Sequence, residues 1–167
     1  MKTAHLVNKG MYGALDLFGP TVEFLTSPED PDAVYCVMRG TIPAGASVPL
    51  HSHADVESFY LLSGTVQVLS QRGEKLEWLD AKQGDFVQVP GGAKHAFRNT
   101  SREPVVQLLI TTPRLGRFFQ EIGRPVTGGA STPPAPDELQ HFMRVAARYG
   151  HWLGSPEENA ALGISLF

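Results

Sequence analysis

Short apolar runs separated by turn-forming residues are the feature that most constrains the fold of this chain. Most of the runs are bounded by Gly, Pro, Ser or Asp, and they are rich in aromatic and β-branched residues. Regular short strands with turn signals between them indicate a β-sandwich or a β-barrel. The predicted strands are 22–25, 35–38, 58–62, 66–69, 76–79, 86–89 and 105–110. The 17 glycines and 13 prolines are spread along the chain, as many tight turns require.

The C-terminal part has helical periodicity. A first stripe is followed by Gly123 as a stop signal, and a connector rich in Gly, Ser, Thr and Pro occupies 124–136. Asp137 is the predicted N-cap of a second helix that ends near Gly150. We expect both stripes to pack against the strand region, and the last dozen residues to fray. The stripes are Leu115, Phe118, Phe119 and Ile122, and then Leu139, Phe142, Met143 and Ala146.

Composition excludes several classes of protein. The chain has 167 residues, 42% of them apolar and 19% charged, which is typical of one globular domain. The net charge is -3 with no cluster of Lys and Arg, which argues against a nucleic-acid partner. No apolar run is long enough to span a membrane, and the single cysteine, Cys36, forms no internal disulfide. The first residues lack the apolar segment of a secretory signal, so we expect a cytoplasmic protein.

Two separated segments carry the residues of a candidate metal site. His51 and His53 are two residues apart and share a face of an extended strand, and Glu57 keeps the same parity unless the intervening residues bulge. These three side chains form an incomplete site, because a protein-held transition metal requires three or four N or O ligands. His95 follows the Pro90–Gly91–Gly92 turn and would supply the fourth ligand from a distant strand.

The two segments resemble the signatures of the cupin family. The first signature, G-x5-H-x-H-x3-E-x6-G, is matched at all of its fixed positions, and so is the second, G-x5-P-x-G-x2-H-x3-N. The matching residues are Gly45, His51, His53, Glu57 and Gly64, and then Gly84, Pro90, Gly92, His95 and Asn99. The resemblance covers about residues 35–112. The order of barrel, Phe-rich helix and Pro-rich linker is also similar to small quercetin-dioxygenase-like cupins.

The resemblance implies an all-β fold, a double-stranded β-helix (jelly-roll) barrel with short C-terminal helices. The barrel would occupy residues 1–112 and the helical tail residues 113–167. It further implies a centre in which His51, His53, Glu57 and His95 hold one divalent transition metal, with Fe, Mn, Ni and Zn all compatible. Because many cupins pair their barrels, the resemblance also implies a homodimer.

Other residues are secondary candidates. Phe59 and Leu61 share parity with Glu57, and Phe97 with His95, so these three either line a cavity at the metal or fill the barrel core. Asp55 either orients a ligand imidazole, relays a proton or, as we expect, lies exposed in a loop. Asn99 is expected to be a structural hydrogen-bonding residue and Cys36 a small buried one, whereas the parity of Gln107 is ambiguous. We expect His5, His141 and His151 to lie on the surface or in the tail.

Three functions fit these features. The first is a metal-dependent dioxygenase acting on a small chelating substrate, aromatic or enolic, with Glu57 as both ligand and base. The second is a non-oxidative isomerase, lyase or decarboxylase that uses the metal as a Lewis acid. The third is a small-molecule-binding protein without turnover. We place the dioxygenase first, although a fold by itself does not fix a function.

Overall fold

A computed structural model of the chain describes residues 3–73, 75–129 and 131–166. Twelve strands and three helices are assigned within these ranges. The strands are β1 Ala14–Asp16, β2 Thr21–Phe24, β3 Cys36–Ile42, β4 Ser47–Ser52, β5 Glu57–Ser63, β6 Thr65–Arg72, β7 Lys75–Lys82, β8 Phe86–Val89, β9 His95–Arg98, β10 Val105–Thr111, β11 Arg124–Pro125 and β12 Trp152–Leu153. The helices are α1 Pro113–Ile122, α2 Pro136–Arg148 and α3 Pro156–Ala161.

The strands form two antiparallel sheets. One has the order β11-β1-β2-β3-β10-β5-β8, and the other has the order β12-β4-β9-β6-β7. From β3 to β10 the chain crosses repeatedly between the sheets, so most neighbours there are distant in sequence, the β6-β7 hairpin excepted. This arrangement is the predicted double-stranded β-helix, and the fold class is confirmed. All seven predicted strands are present, and so are β4 and β9, which were expected only as the strands that carry His51 and His95. The two- and three-residue strands β1, β11 and β12 were not predicted.

The main core lies between the two sheets. Burial alternates along β3 and along β10, because successive side chains of a strand point to opposite faces. Inward-facing residues of both sheets pack together there. The members of this core include Val22, Phe24, Cys36, Met38, Ile42, Phe59, Leu61, Val66, Val68, Val89, Phe97, Val105 and Leu109. Cys36 is fully buried, as expected.

The first tail helix buries its predicted face, but mainly on α2 and not on the strand region, and Leu139 and Met143 of the second stripe are exposed. The hydroxyl of Thr112 accepts a hydrogen bond from the N–H of Leu115, which caps α1, and Gly123 follows its last residue. Leu115, Phe118 and Ile122 are buried against α2, in a second apolar cluster that contains Val145 and Ala146. The cap of α2 was predicted wrongly. Ala135 is the N-cap and Asp137 lies in the first turn, because Pro136 fits the first helical position, where no N–H is needed.

The end of the chain is ordered against the barrel, and the prediction that it frays is wrong. Strand β12 pairs with β4, and α3 follows it directly. Asn159 in α3 and Ile164 beyond it are buried, and Ile164 packs in a third apolar cluster with Leu50 and Leu69. Within the described ranges, no helix combines the length and the apolar character needed to cross a membrane.

Candidate metal centre

The four predicted ligand residues lie at one end of the barrel, on both sheets. His51 is in β4 and is paired in register with His95, the first residue of β9. Glu57 is the first residue of β5 in the opposite sheet. His53 follows the end of β4 directly, in the loop of residues 53–56 that leads to Glu57, which we call the ligand loop. The structure therefore brings together side chains from two segments that are far apart in sequence.

The ligand atoms of these residues converge on one point. One nitrogen from each histidine and one carboxylate oxygen of Glu57 all lie within 4.8 Å of one another. Oε2 of Glu57 is 3.2 Å from Nε2 of His53 and 3.0 Å from Nε2 of His95. The rings of His51 and His95 are closest, with their centroids 4.1 Å apart. The convergence is the central geometric fact of the site.

Backbone carbonyl groups orient all three imidazoles. Nδ1 of His51 donates a hydrogen bond to the carbonyl of Pro49 at 2.8 Å, and Nδ1 of His95 donates to that of Ala93 at 2.9 Å. Nδ1 of His53 donates to the carbonyl of Asp55 at 3.0 Å. A proton on Nδ1 leaves the lone pair of a neutral imidazole on Nε2, which is the atom that a metal would bind.

Burial and the Glu57 carboxylate set the charges of the cluster. Burial of the His51 ring, together with the neighbouring His95, lowers its pKa to about 3, so this imidazole is neutral at physiological pH. Burial of Glu57 disfavours its charged form, but hydrogen bonds from His53 and His95 outweigh burial and lower its pKa to about 2. Burial also disfavours charge on His53, yet the bond to Glu57 raises the pKa of this histidine. Glu57 is thus a buried anion that requires a positive partner.

The donor set fits a divalent metal. Three imidazole nitrogens and one carboxylate oxygen are ligands that bind first-row transition metals. The hydrogen bonds between Oε2 of Glu57 and the rings of His53 and His95 compensate part of this buried charge. A bound metal would replace these hydrogen bonds, since ligating histidines must be neutral. The cluster of His51, His53, Glu57 and His95 therefore suits a divalent metal ion.

Asp55 is buried, so the expectation of an exposed loop aspartate is wrong. Its carboxylate accepts a hydrogen bond from the hydroxyl of Thr112 at 2.5 Å and one from Nη1 of Arg114, also at 2.5 Å. Nη2 of Arg114 donates to the carbonyl of Tyr149. Paired with a guanidinium, the carboxylate can be buried without the cost of an isolated charge. Asp55 orients His53 through its backbone carbonyl, while its side chain fastens the ligand loop to the tail.

His151 lies in the tail, as expected, but next to the metal cluster. Its ring lies 5.0 Å from that of His53 and 4.1 Å from that of Phe118, measured between centroids. Burial, with His53 nearby, lowers its pKa to about 4. The other two histidines are exposed, as expected, and Nε2 of His141 donates to the carbonyl of Glu121.

The residues predicted to line a cavity lie in the main core. Phe59, Leu61 and Phe97 are all buried, and the rings of Phe59 and Phe97 are 4.7 Å apart. Phe97 approaches the metal cluster most closely, with its ring 6.1 Å from that of His95. Gln107 of β10 also faces the interior, so it lies on the inner face of its strand. Its Oε1 has no hydrogen-bond partner within the described residues.

Asn99, at the end of the second motif, is a structural residue as predicted. Its amide nitrogen donates to the carbonyls of Ile42 and Glu103, and its Oδ1 accepts from the N–H of Ser101. Sequence reasoning missed Thr112 and Arg114 as supports of the ligand loop. Neither residue belongs to a sequence motif. Their contact with Asp55 depends on the direction in which α1 runs from the end of β10.

Comparison with known proteins matches one segment of the chain to a family model. Residues 38–111 match the family model described as Cupin domain. No curated protein matches the chain. Among solved structures, the chain is similar to an uncharacterized conserved protein with a double-stranded beta-helix domain from Klebsiella pneumoniae, at 16% identity over 66% of this chain and 91% of that chain, with a TM-score of 0.51.

Two further solved structures are similar to the chain. Lactobacillus farciminis oxalate decarboxylase, in a formate complex, has 22% identity over 61% of this chain and 31% of that chain, with a TM-score of 0.53. The Schizosaccharomyces pombe Cnp3 cupin domain has 21% identity over 56% of this chain and 64% of that chain, with a TM-score of 0.47. The chain thus spans less than two thirds of the length of either protein. At such identities, similarity is evidence of the fold alone.

The segment that matches the family model runs from β3 to the end of β10. It includes all four residues of the metal cluster and nearly all of the strands that build the barrel. The helical tail lies outside it. Residues 38–111 are therefore similar in sequence to a cupin domain, and the barrel that contains them has the double-stranded β-helix fold.

Proposed function

We propose that this protein is a metal-dependent dioxygenase in which His51, His53, Glu57 and His95 hold one divalent transition metal. The observation that carries the proposal is the convergence of their four ligand atoms within 4.8 Å. Fe, Mn, Ni and Zn all accept this set of nitrogen and oxygen ligands. When bound, such a cation supplies Lewis acidity and coordination positions, beyond the four protein ligands, for dioxygen and a chelating substrate.

Glu57 is proposed to act as a base as well as a ligand. Its carboxyl group is ionised at physiological pH because its pKa is about 2. A carboxylate with such a low pKa takes a proton readily only from a hydroxyl group that a cation has already made more acidic. This requirement favours a substrate that chelates through an enol or phenol oxygen.

The apolar residues next to the cluster support an aromatic or enolic substrate. Phe97 lies beside His95, and Phe59 and Leu61 continue the apolar surface into the barrel. We propose that Phe97 borders the substrate position, with Phe59 and Leu61 packed behind it in the core. Apolar surroundings also exclude water, which strengthens the interaction between Glu57 and a bound cation.

The test combines metal analysis with oxygen consumption. Protein purified without chelators is expected to contain about one divalent transition metal per chain, and to consume O2 with a flavonol or a catechol. Glu57→Gln removes the negative ligand but keeps the shape of the side chain, and is expected to abolish both properties. Glu77→Gln, at an exposed position of β7, is the matched control and is expected to preserve them.

Other outcomes of this experiment favour other functions. Metal-dependent turnover of a substrate without O2 would replace the dioxygenase with an isomerase, lyase or decarboxylase. Stable metal binding together with ligand binding, but without turnover, would indicate a binding protein. Absence of metal from purified and reconstituted protein would contradict the metal centre itself.

We also propose that the protein acts as a homodimer in the cytoplasm. The outer face of the seven-stranded sheet exposes four large apolar side chains, and large exposed apolar patches commonly mark interaction sites. We call this group, Tyr60, Leu62, Phe86 and Ile110, the outer apolar face. A free, fully buried Cys36 supports a reducing compartment, since the fold is complete without a disulfide.

A further inference from the structure

The tail places a fourth histidine next to the metal cluster. Strand β12 pairs with β4 so that Trp152 lies opposite Ser52 and Leu153 opposite His51. Because the strands are antiparallel, the same register continued by one residue places His151 beside His53. The two rings are 5.0 Å apart and inclined by 36°. This histidine comes from outside the segment that matches the cupin family model.

His151 is held in place by both long helices of the tail. Its ring packs on Phe118 of α1, with 4.1 Å between centroids. Its backbone N–H donates to the carbonyl of Ala146 in α2 at 2.9 Å. The side chain thus occupies a defined position, and strand pairing, helix packing and the backbone hydrogen bond all contribute to it.

One polar atom of His151 is unused. Nε2 is buried and has no hydrogen-bond partner among the described residues. The three histidines of the cluster differ in this respect, because their Nδ1 atoms bond to carbonyls and their Nε2 atoms converge on the metal position. Buried polar atoms are almost always paired, so an unpaired one next to a functional site indicates a missing partner.

The missing partner is not the metal itself. The group whose ligand atoms all lie within 4.8 Å of one another contains His51, His53, Glu57 and His95, and it does not include His151. His151 therefore lies outside the group of protein ligands, with its ring beside that of His53.

We propose that His151 binds the small molecule that occupies an open coordination position of the metal, donating a hydrogen bond from Nε2–H to an anionic oxygen of that molecule. The ligand class is a carboxylate or an enolate. This inference rests on the proposed metal centre and adds a residue that contacts the metal's exogenous ligand. It also gives the C-terminal tail a role in the site.

The test uses Co(II) as the metal and acetate as the probe ligand. Co(II) affinity is measured first, by calorimetry, in the wild type and in His151→Phe, which keeps an aromatic ring but removes both nitrogens. Acetate binding is then followed through the visible absorption of the bound Co(II). We expect equal Co(II) affinity in both proteins and an acetate Kd that is roughly tenfold or more higher in His151→Phe.

Two further variants complete the design. His151→Gln keeps a side-chain N–H donor and is expected to recover part of the acetate affinity. His141→Phe makes the same change at an exposed tail histidine and is expected to bind acetate as the wild type does.

The outcomes separate the two proposals. Failure of the wild type to bind Co(II) overturns the metal centre and this inference together. Normal Co(II) binding with equal acetate affinity in the wild type and His151→Phe overturns the role of His151 alone. A loss of Co(II) affinity in His151→Phe overturns it too, since His151 would then support the protein ligands and not the exogenous one.

Discussion

Each histidine of the metal cluster is oriented by a carbonyl group two residues away in the chain. His51 uses Pro49, His53 uses Asp55 and His95 uses Ala93. The supporting groups are backbone atoms, so substitution of the supporting residues does not remove the acceptors. The geometry of the imidazoles depends instead on the path of the backbone around them. Changes that move the backbone are therefore expected to affect the site more than changes of neighbouring side chains.

A single buried amide fastens the end of the chain to the barrel. Oδ1 of Asn159 accepts a hydrogen bond from the N–H of Leu50 in β4 at 2.8 Å. Its Nδ2 donates to the carbonyls of Gly154 and Ser155. Asn159 thus connects β4 to the segment that leads into α3, and it pairs the buried N–H of Leu50.

Asn159→Ala is expected to lower the free energy of unfolding by about 2 to 4 kcal/mol, because it removes these bonds and leaves the N–H of Leu50 unpaired. Urea denaturation measures the change. Asn8→Ala, at an exposed position, is the control and is expected to change stability by less than about 0.5 kcal/mol. Equal stability of both variants would show that the end of the chain is not anchored as described.

At the scale of elements, the turn between β8 and β9 supports the ligand loop. The N–H of Gly92 donates to the carbonyl of His53 at 2.6 Å. A Cβ atom at Gly91 would overlap the carbonyl oxygen of Ala54, so only glycine allows this close approach. The turn that leads to His95 thus also fixes the backbone at His53, which couples the two ligand-bearing segments.

Gly91→Ala is therefore expected to displace the ligand loop and to weaken metal binding by roughly tenfold or more. Metal affinity by calorimetric titration measures this effect. Gly129→Ala is the control, because a Cβ atom there meets open space. Wild-type affinity in Gly91→Ala would mean that the ligand loop moves aside without disturbing His53, and would contradict the coupling.

At the scale of the whole molecule, the two faces of the seven-stranded sheet differ in their surroundings. The inner face is covered by the five-stranded sheet, and residues of both sheets share the main core. On the outer face, Tyr60 and Phe86 are paired across β5 and β8, and the side chain of Phe86 is 59% exposed. Burial of such an apolar face by a second copy of the chain would lower the free energy of the assembly.

Phe86→Lys places a charge in the outer apolar face and is expected to convert the proposed homodimer into a monomer, because a charge at the centre of an interface is costly to bury. Sedimentation velocity measures the mass in solution. Val34→Lys changes an exposed apolar residue outside the outer apolar face and is expected to leave the dimer intact. A monomeric wild type, or a dimeric Phe86→Lys, would contradict dimerisation through this face.

The sequence alone was sufficient for the features that depend on local spacing. Short apolar runs bounded by turn formers predicted the strands, because β-branched and aromatic residues favour extended segments and turn formers end them. The spacing of His51, His53 and Glu57 and the turn before His95 predicted which residues converge. The first tail helix was predictable for the same reason, since the positions of Leu115, Phe118 and Ile122 by themselves define one face.

Tertiary structure decided everything that depends on how distant segments meet. Asp55 is buried because Arg114, 59 positions further along the chain, supplies its counter-charge. His151 lies beside His53 because β12 pairs with β4, and two paired residues give no periodic signal in a sequence. Burial of Asn159 likewise depends on a partner 109 positions away. Such contacts form only when the tail packs on the barrel. The free energy of this packing depends on both surfaces, so the sequence of one segment does not predict the contacts.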